Sequence, residues 1–428
     1  MRRLIALGLF VLCCAALTLA QGGTRYDVDY GAWRVVVLQS DDWGLEAWFP
    51  DAPSAEALAE TLDGVAARLR PYATSTLETA AEIDSLAAFL ASMRDADELP
   101  VVLQANTVVA AIDAAEPDLG VGAPGFGFRL RPPGLPGSAY ARPDLWEAYG
   151  RAAAAGVWRM ELHGLVHRDL AAYATAWRDG DPLARRASEF GVVAHEGWRH
   201  RYELASGDEE RARRTLGEAV RRFEELAGYR PVSFIAPDYH WDDEDERALA
   251  ALGLEVIQAK AEQIQPRWAK GSWTTRLLKR WVQIRQRRRG RFLYMDRPGR
   301  LEPYGHLDPA AAQGARAAAA AVRDAWRRGE PAVVSIHRVQ LSHPDAAIAA
   351  AGRKQLAALF EELGGVGTLR ILVDAEIAAL EREGVSELRR GPYLVYRNFG
   401  AQPRAVRSDQ GTRFVLQPGT TLRHHEEE

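Results

Sequence analysis

Cysteine is nearly absent from this chain. Its two copies, Cys13 and Cys14, are adjacent and lie in an N-terminal apolar segment, so they cannot cross-link the rest of the chain. A protein without disulfides must be stable through its core alone. With 428 residues, of which 47% are hydrophobic, the chain is long enough to bury such a core. The sequence therefore excludes a small disulfide-stabilised scaffold.

An excess of charge of one sign is also lacking. The formal net charge is −4, and charged residues make up 26% of the chain. A near-neutral chain does not bind nucleic acid through bulk charge, so we predict no nucleic-acid partner. The composition excludes a disordered, fibrous or multi-spanning membrane protein. No feature of the sequence predicts a protein partner.

Long hydrophobic runs are missing except at the N-terminus. Two arginines precede an apolar stretch over 4–20 that only Thr18 interrupts, and polar residues follow from Gln21 onward. This order is typical of a cleaved secretion signal. We predict a signal peptide over 1–20 and an exported mature chain, periplasmic or extracellular, with no stable membrane span. An uncleaved anchor is the alternative, because the stretch approaches the ~20 apolar residues that a spanning helix needs.

Strand-like and helix-like patterns alternate along the rest of the chain. The strand-like runs are short and apolar, as in strands buried on both faces, and cover 33–38, 100–103, 157–162, 232–236, 254–258, 292–295, 332–336 and 369–373. Helical periodicity covers 54–69, with Ser54 as the predicted N-cap, and then 209–227, 243–252, 309–328, 346–363 and 375–383. Seven or eight buried strands alternating with helices predict an α/β fold with a mainly parallel sheet, most economically a (β/α) barrel.

The pattern changes near the C-terminus. After residue 390 the chain shows short alternating strands at 393–396 and 413–416, and the end of the chain, 423–428, is mostly charged. We predict a barrel over 21–390, followed over 391–428 by a small β extension and a disordered tail.

Polar residues follow several predicted strands directly. In a parallel barrel the carboxyl ends of the strands form one rim, where active sites lie. Asp41 and Asp42 follow the first strand. Two adjacent carboxylates beyond a buried strand are costly unless their charge is stabilised, and a divalent metal on one would leave the other free as a base. A helix cap or a loop of solvated acids is the simpler alternative.

Histidines follow two further strands. His163 and His167 are four residues apart and can bind one metal ion from the same side of a helical turn, although this spacing also occurs by chance. His337 follows the seventh strand, where a structural histidine is more common than a catalytic one. Asp238 and Tyr239 belong to a polar, aromatic cluster that follows the fourth predicted strand. Two histidines and a carboxylate together predict a catalytic metal site with open positions, flanked by a base and an acid.

The order of these motifs resembles the polysaccharide deacetylase superfamily, also called the NodB-homology or carbohydrate esterase family four group. Its Thr-Phe-Asp-Asp-Gly motif is similar to residues 39–44, Gln-Ser-Asp-Asp-Trp-Gly. Its His-Ser/Thr-x-x-His motif is similar to residues 163–167, with Gly164 in the hydroxyl position, and its Leu-x-Leu-His motif to residues 334–337. The resemblance covers roughly 33–383. It implies a distorted (β/α)7 barrel and a divalent ion, with Zn²⁺ as the ion expected first.

The resemblance also implies roles for individual residues. Asp42, His163 and His167 would bind the metal. Asp41 would be the general base that takes a proton from the attacking water, and His337 the acid that protonates the leaving group. The candidates for substrate binding share a place on the same rim: Trp43, Asp238, Tyr239 and Arg297.

The sequence departs from the family pattern in two motifs. In the family's Arg-x-Pro-aromatic-Gly motif the arginine holds the base carboxylate, but here Ile235 occupies that position before Pro237. Either Arg297 or Arg300 replaces this arginine, or other groups set the pKa of the base carboxylate. The family's Asp-x-x-Asp-Trp motif has no clear match, although residues 296–303 lie where it is expected. The chain is therefore interpreted as a divergent member with an altered substrate.

These features predict an exported, metal-dependent deacetylase that removes N- or O-acetyl groups from a polysaccharide. The stretch 267–291, in which arginines and lysines are interspersed with tryptophans, suits an anionic glycan, but it suits a solvated basic helix equally well. Two alternatives stay open. A metal-dependent glycoside hydrolase on a related barrel would release reducing ends, and a non-catalytic relative would bind metal or sugar without turnover.

Overall fold

The computed structural model describes residues 26–46, 49–59, 72–112, 129–194, 203–204, 207–260, 291–305, 312–407, 411 and 413–425. The predicted signal peptide and nearly all of the stretch 267–291 lie outside these residues, so both stay predictions. Of the helices that the structure describes, none is both long and apolar enough to cross a bilayer.

The described residues form sixteen strands. In chain order they are β1 (Val35–Trp43), β2 (Leu103–Thr107), β3 (Ala111–Ile112), β4 (Leu130–Arg131), β5 (Trp158–Leu162), β6 (Ser233–Phe234), β7 (Val256–Ala259), β8 (Leu293–Asp296), β9 (Gly299–Arg300), β10 (Ala332–His337), β11 (Arg370–Leu372), β12 (Ser386–Arg390), β13 (Tyr393–Asn398), β14 (Arg404–Arg407), β15 (Arg413–Leu416) and β16 (Thr420–His425). Each of the eight predicted barrel strands overlaps one of them.

Nine strands form one curled sheet whose pairings are parallel. The order is β8-β7-β6-β5-β2-β1-β10-β9, with β11 beside the N-terminal part of β1. The edge strands β8 and β9 are separated in the chain only by Arg297 and Pro298, so the sheet curls until its two edges approach each other. The predicted fold class, a distorted (β/α) barrel, is confirmed.

The helices are amphipathic and alternate with the strands. They are α1 (Ala52–Ala59), α2 (Ala80–Ala91), α3 (Leu145–Ala154), α4 (Leu170–Arg178), α5 (Pro182–Ser188), α6 (Glu209–Ala227), α7 (Asp243–Ala251), α8 (Ala315–Arg327), α9 (Ala346–Glu362) and α10 (Asp374–Glu383). Ser54 lies inside α1 and is not its N-cap as predicted. The Asp51 carboxylate accepts hydrogen bonds from the Ser54 N–H and hydroxyl at 2.8 and 2.6 Å, and aspartate is an equally good capping residue.

The side chains of the central strand β1 alternate between two parts of the core. Its first four side chains are fully buried, as expected for a parallel strand covered on both faces. Val36 and Leu38 pack in the main core with helical residues, whereas Val35 and Val37 pack in a smaller cluster to which several other strands contribute. Because side chains alternate along a strand, Asp41 belongs to the set of Val35 and Val37.

The C-terminal region forms two small antiparallel sheets. The strands β12, β13 and β16 form one sheet, and β14 pairs with β15. The extension thus begins with β12, a few residues before the predicted position 391. The disorder predicted from residue 423 is wrong as far as His425, which pairs with Tyr393, because strand pairing depends on backbone hydrogen bonds and tolerates charged side chains. Buried Arg397 joins this sheet to the barrel through Asp97 at 3.1 Å and through Glu376.

Candidate active site

The polar residues that follow the parallel strands line one cavity at the carboxyl ends of the sheet. The strand register places Asp41 beside His337, so base and acid candidates lie on neighbouring strands. The lining residues are Asp41, Asp42, Leu45, Tyr72, His163, His167, Ile235, Ala236, Asp238, Tyr239, Lys260, Arg297, Arg300, Ser335 and His337.

A bulge in β1 brings both carboxylates to this cavity. In a regular strand Asp41 and Asp42 would point to opposite faces. The pairing of β1 with β2 shifts register between Ser40 and Trp43, and Asp42 has a φ of 71°. A bulge of this kind redirects side chains at the end of a strand, which is why consecutive aspartates reach the same cavity.

Three side chains form a donor set suited to a divalent metal. One Asp42 carboxylate oxygen lies 3.3 Å from His163 Nε2 and 3.6 Å from His167 Nε2, and the three ligand atoms all lie within 4.8 Å of one another. Bonds of about 2.0–2.1 Å at a tetrahedral angle would place donor atoms about 3.3 Å apart. The two separations from Asp42 are close to this value, and the nitrogen and oxygen donors are of the type that zinc accepts.

The two histidine rings are prepared for this role by burial and hydrogen bonding. His163 Nδ1 lies 3.1 Å from the Ile235 carbonyl, which assigns the proton to Nδ1 and leaves Nε2 as the donor atom. Burial, together with the nearby His163, lowers the pKa of His167 to about 4, so this imidazole is neutral at ordinary pH. Burial would raise the pKa of Asp42, but His163, His337 and His167 outweigh it and hold the pKa well below its ordinary value.

Asp41 is held by an arginine from another strand end. Arg297 Nη1 donates to Asp41 Oδ2 at 2.8 Å and Nη2 to Oδ1 at 3.0 Å, and both side chains are buried. The structure thus places Arg297, one of the two arginines suggested by the sequence, on the carboxylate of Asp41, the predicted base. Asn106, which the sequence did not suggest, donates to Oδ1 at 2.6 Å. Burial favours a raised pKa for Asp41, but Arg297, His337 and His163 lower it below the ordinary value.

His337 is paired with a carboxylate that the sequence did not single out. Glu302 Oε1 accepts from His337 Nδ1 at 2.6 Å and from its N–H at 2.9 Å. Burial lowers the pKa of His337, but this partner outweighs burial and raises the pKa to about 9. Glu302 lies within the region 296–303, where the family's acidic motif is expected, so its position was the available signal.

The predicted substrate-binding residues divide into two groups. Asp238, Tyr239 and Arg297 line the cavity, and the Tyr239 hydroxyl accepts from Arg297 at 2.7 Å. Trp43 does not reach the cavity, so the structure contradicts its prediction as a substrate contact. It is fully buried and packs edge-on against Trp158 with ring centroids 4.6 Å apart. The β1 bulge turns both aspartates to the cavity and leaves this indole in the core.

Backbone strain is concentrated at the site. Among the described residues, six non-glycine residues have a positive φ, and four of them line the cavity: Asp42, His167, Asp238 and Tyr239. Such conformations cost about 1–3 kcal/mol each and persist where surrounding contacts hold them, which is typical of functional sites.

Comparisons with known proteins give distant likenesses. No protein-family model matches the chain, and no curated protein matches it. Among solved structures, one is assigned as a polysaccharide deacetylase from Mycobacterium smegmatis, with 15% identity, a TM-score of 0.36, and coverage of 81% of this chain and 89% of that one. Another is IcaB from Ammonifex degensii, with 14% identity, a TM-score of 0.21, and coverage of 58% and 97%.

Proposed function

We propose that this protein is a metal-dependent carbohydrate deacetylase, a divergent relative of the polysaccharide deacetylases. The observation that carries the proposal is the arrangement of the cavity. A donor set of Asp42, His163 and His167 with metal-ligand spacing lines the same cavity as the pair Asp41–Arg297 and as His337, which is paired with Glu302. This is the constellation that metal-assisted hydrolysis of an acyl group needs.

A divalent ion bound there would act as a Lewis acid on the acetyl carbonyl. Asp41 supplies the base. A carboxylate offers about four acceptor sites, and Arg297 and Asn106 occupy two on Oδ1 and one on Oδ2. The remaining acceptor site is on Oδ2, the oxygen that lies 3.9 Å from His337 Nε2. Asp41 therefore takes the proton of the attacking water at Oδ2.

His337 supplies the acid. The Nδ1 hydrogen bond to Glu302 fixes the ring so that Nε2 faces Asp41, and the raised pKa keeps Nε2 protonated at neutral pH. As the bond between the carbonyl carbon and the leaving nitrogen or oxygen breaks, Nε2 donates its proton to the leaving atom. Water adds to the acyl carbon, so the products are acetate and a free amine or hydroxyl.

Two cations that line the cavity near Arg297 suggest an acidic glycan. Lys260 follows β7 and Arg300 ends β9, so both line the cavity near Arg297. Burial and the charges of Arg300 and Arg297 lower the pKa of Lys260, which reflects the concentration of cations in this part of the cavity. The positive charges of Lys260 and Arg300 can attract a carboxylate or sulfate on the sugar. We expect a K260M/R300M variant to raise KM for acetylated uronic-acid oligomers but not for neutral acetylated oligomers.

Acetate release tests the proposal directly. The mature chain, incubated with acetylated glycans and Zn²⁺, should release acetate, and a chelator should abolish the release. Liberation of reducing ends without acetate would favour the glycoside hydrolase alternative. Metal or sugar binding with no product would favour a non-catalytic relative.

We also propose that the protein is exported. The support is the order of charged, apolar and polar residues over 1–21. N-terminal sequencing of the protein from the native host should give a start near Gln21, and an intact N-terminus on membrane-associated protein would favour the anchor.

A further inference from the structure

The loop between the two histidine ligands is built around a buried carboxylate. Glu203 is almost fully buried, and it accepts hydrogen bonds from three consecutive backbone N–H groups. Its Oε1 accepts from Leu165 at 2.7 Å and Val166 at 3.2 Å, and its Oε2 accepts from His167 at 3.0 Å. Glu203 therefore holds the backbone that carries the second ligand.

The position of the Glu203 carboxylate leaves room only for glycine at residue 164. Its φ is 76°, and a Cβ at this position would lie 2.4 Å from Glu203 Oε2 and 3.0 Å from a Pro237 ring carbon. A side chain here would strain the backbone and displace Glu203. Glycine at the second position of the His-Gly-x-x-His sequence thus leaves room for the carboxylate.

The position of His167 depends on its backbone. The residue has a φ of 57°, which costs free energy unless surrounding contacts hold it. Its Nδ1 is buried and accepts or donates no hydrogen bond within the part of the chain that the structure describes, so no described contact at that atom orients the ring. The hydrogen bond from the His167 N–H to Glu203 ties the backbone of this ligand to a residue 36 positions away.

We propose that Glu203 is a positioning residue of the metal centre, which places His167 within reach of the ion bound by Asp42 and His163. The inference rests on the proposed metal site, and it assigns to Glu203 an effect on metal affinity in addition to any effect on stability. Loss of a group that orients a ligand typically costs about 10- to 100-fold in metal affinity.

Glu161 provides a control for the loss of a buried carboxylate. It is also fully buried, and its Oε2 accepts from two backbone N–H groups, those of Val232 and Ser233, both at 2.8 Å. Neither partner belongs to the loop between the two histidines. Both oxygens of Glu203 accept hydrogen bonds, so Glu203→Gln puts an NH₂ group against at least one backbone N–H, whereas in Glu161→Gln the amide oxygen can keep both bonds. The Tm of each variant therefore has to be measured beside its affinity.

The experiment measures Zn²⁺ affinity by competition with a chelator, and the absorption spectrum of bound Co²⁺, for the wild type, Glu203→Gln and Glu161→Gln at a temperature well below each Tm. We expect Glu203→Gln to weaken Zn²⁺ binding about 10- to 100-fold and to alter the Co²⁺ spectrum, with Glu161→Gln binding as the wild type does. Equal affinity in the wild type and Glu203→Gln would overturn the inference alone. If the wild type binds no divalent ion, the proposed function fails as well.

If Glu203→Gln does not fold, two glycine variants, Gly164→Ala and Gly180→Ala, test the same proposal. Gly180 has the same φ of 76° as Gly164, but a Cβ added to it would have no other atom within 4 Å. Gly180→Ala therefore reports backbone strain alone, whereas Gly164→Ala adds the collision with Glu203. We expect only Gly164→Ala to weaken Zn²⁺ binding; equal affinities in the two variants would contradict the proposal.

Discussion

His167 and His337 line the same cavity, yet their surroundings act on them in opposite ways. His167 lies beside another histidine, and burial lowers its pKa to about 4. His337 lies against Glu302, and its pKa rises to about 9. At neutral pH one imidazole is an electron-pair donor and the other a proton donor. The surroundings of these two histidines therefore suit them to different proposed roles, His167 as a ligand and His337 as an acid.

The two aspartates show a parallel contrast. The Asp42 carboxylate faces the two histidines and forms no ion pair with an arginine among the described residues, so an ion can share its charge. Asp41 is held by Arg297 and Asn106, which leave one acceptor site free. In the proposed mechanism these partners assign metal binding to Asp42 and proton transfer to Asp41.

The largest effect is expected from removing one of the proposed metal ligands. His163→Ala removes a metal ligand, so metal binding and acetate release should be lost together, with affinity falling by more than the ~100-fold that loss of an orienting partner can cost. Zn²⁺ titration and acetate assays measure both. His343→Ala, which removes a buried histidine that does not line the cavity, is the control and should leave metal binding intact.

The next effect separates the two aspartates. Asp41→Asn should keep the metal but lower kcat by at least ~100-fold, because an amide cannot take the proton from water. Parallel measurement of Zn²⁺ content and kcat tests this. Unchanged turnover would move the role of base to another carboxylate, such as Asp238, which also lines the cavity.

A smaller effect concerns the pH dependence of activity, which tests the proposed role of His337 as the acid. In the proposed mechanism His337 acts in its protonated form, so activity should fall as pH rises through about 9. Glu302→Gln removes the carboxylate that raises this pKa, and the alkaline limb should move to lower pH. The stabilisation that the pair gives the fold is fully present below the ordinary histidine pKa of ~6.5 and is lost as pH rises through about 9. An alkaline limb at the same pH in both proteins would exclude His337 as the acid.

The smallest expected effect on activity concerns Trp43. Because this side chain packs on Trp158 in the core, Trp43→Phe should lower stability by about 1–3 kcal/mol and leave KM unchanged. Thermal unfolding and steady-state kinetics distinguish the two outcomes. A raised KM with unchanged Tm would restore Trp43 as a substrate contact.

Much of the fold could be predicted because apolar strands and amphipathic helices leave strong periodic signals. The weakest boundary is that of β2, predicted over 100–103 and observed at Leu103–Thr107. Its later residues include polar Gln104 and Asn106, which are fully buried inside the barrel. A hydrophobicity pattern cannot detect such residues, and for this reason Asn106 was missed as a partner of Asp41.

The sequence by itself determined the alternation of elements, the rim on which polar residues collect, and the spacing of the histidine pair, because these follow from local patterns of a few residues. Only the tertiary structure decided that Arg297 holds Asp41, that Glu302 holds His337 and that Glu203 supports the ligand loop. Each of these pairs joins residues about 35 or more positions apart, and the curl of the sheet brings them together. The tertiary structure also decided the β1 bulge, which directs two aspartates into the cavity and Trp43 into the core.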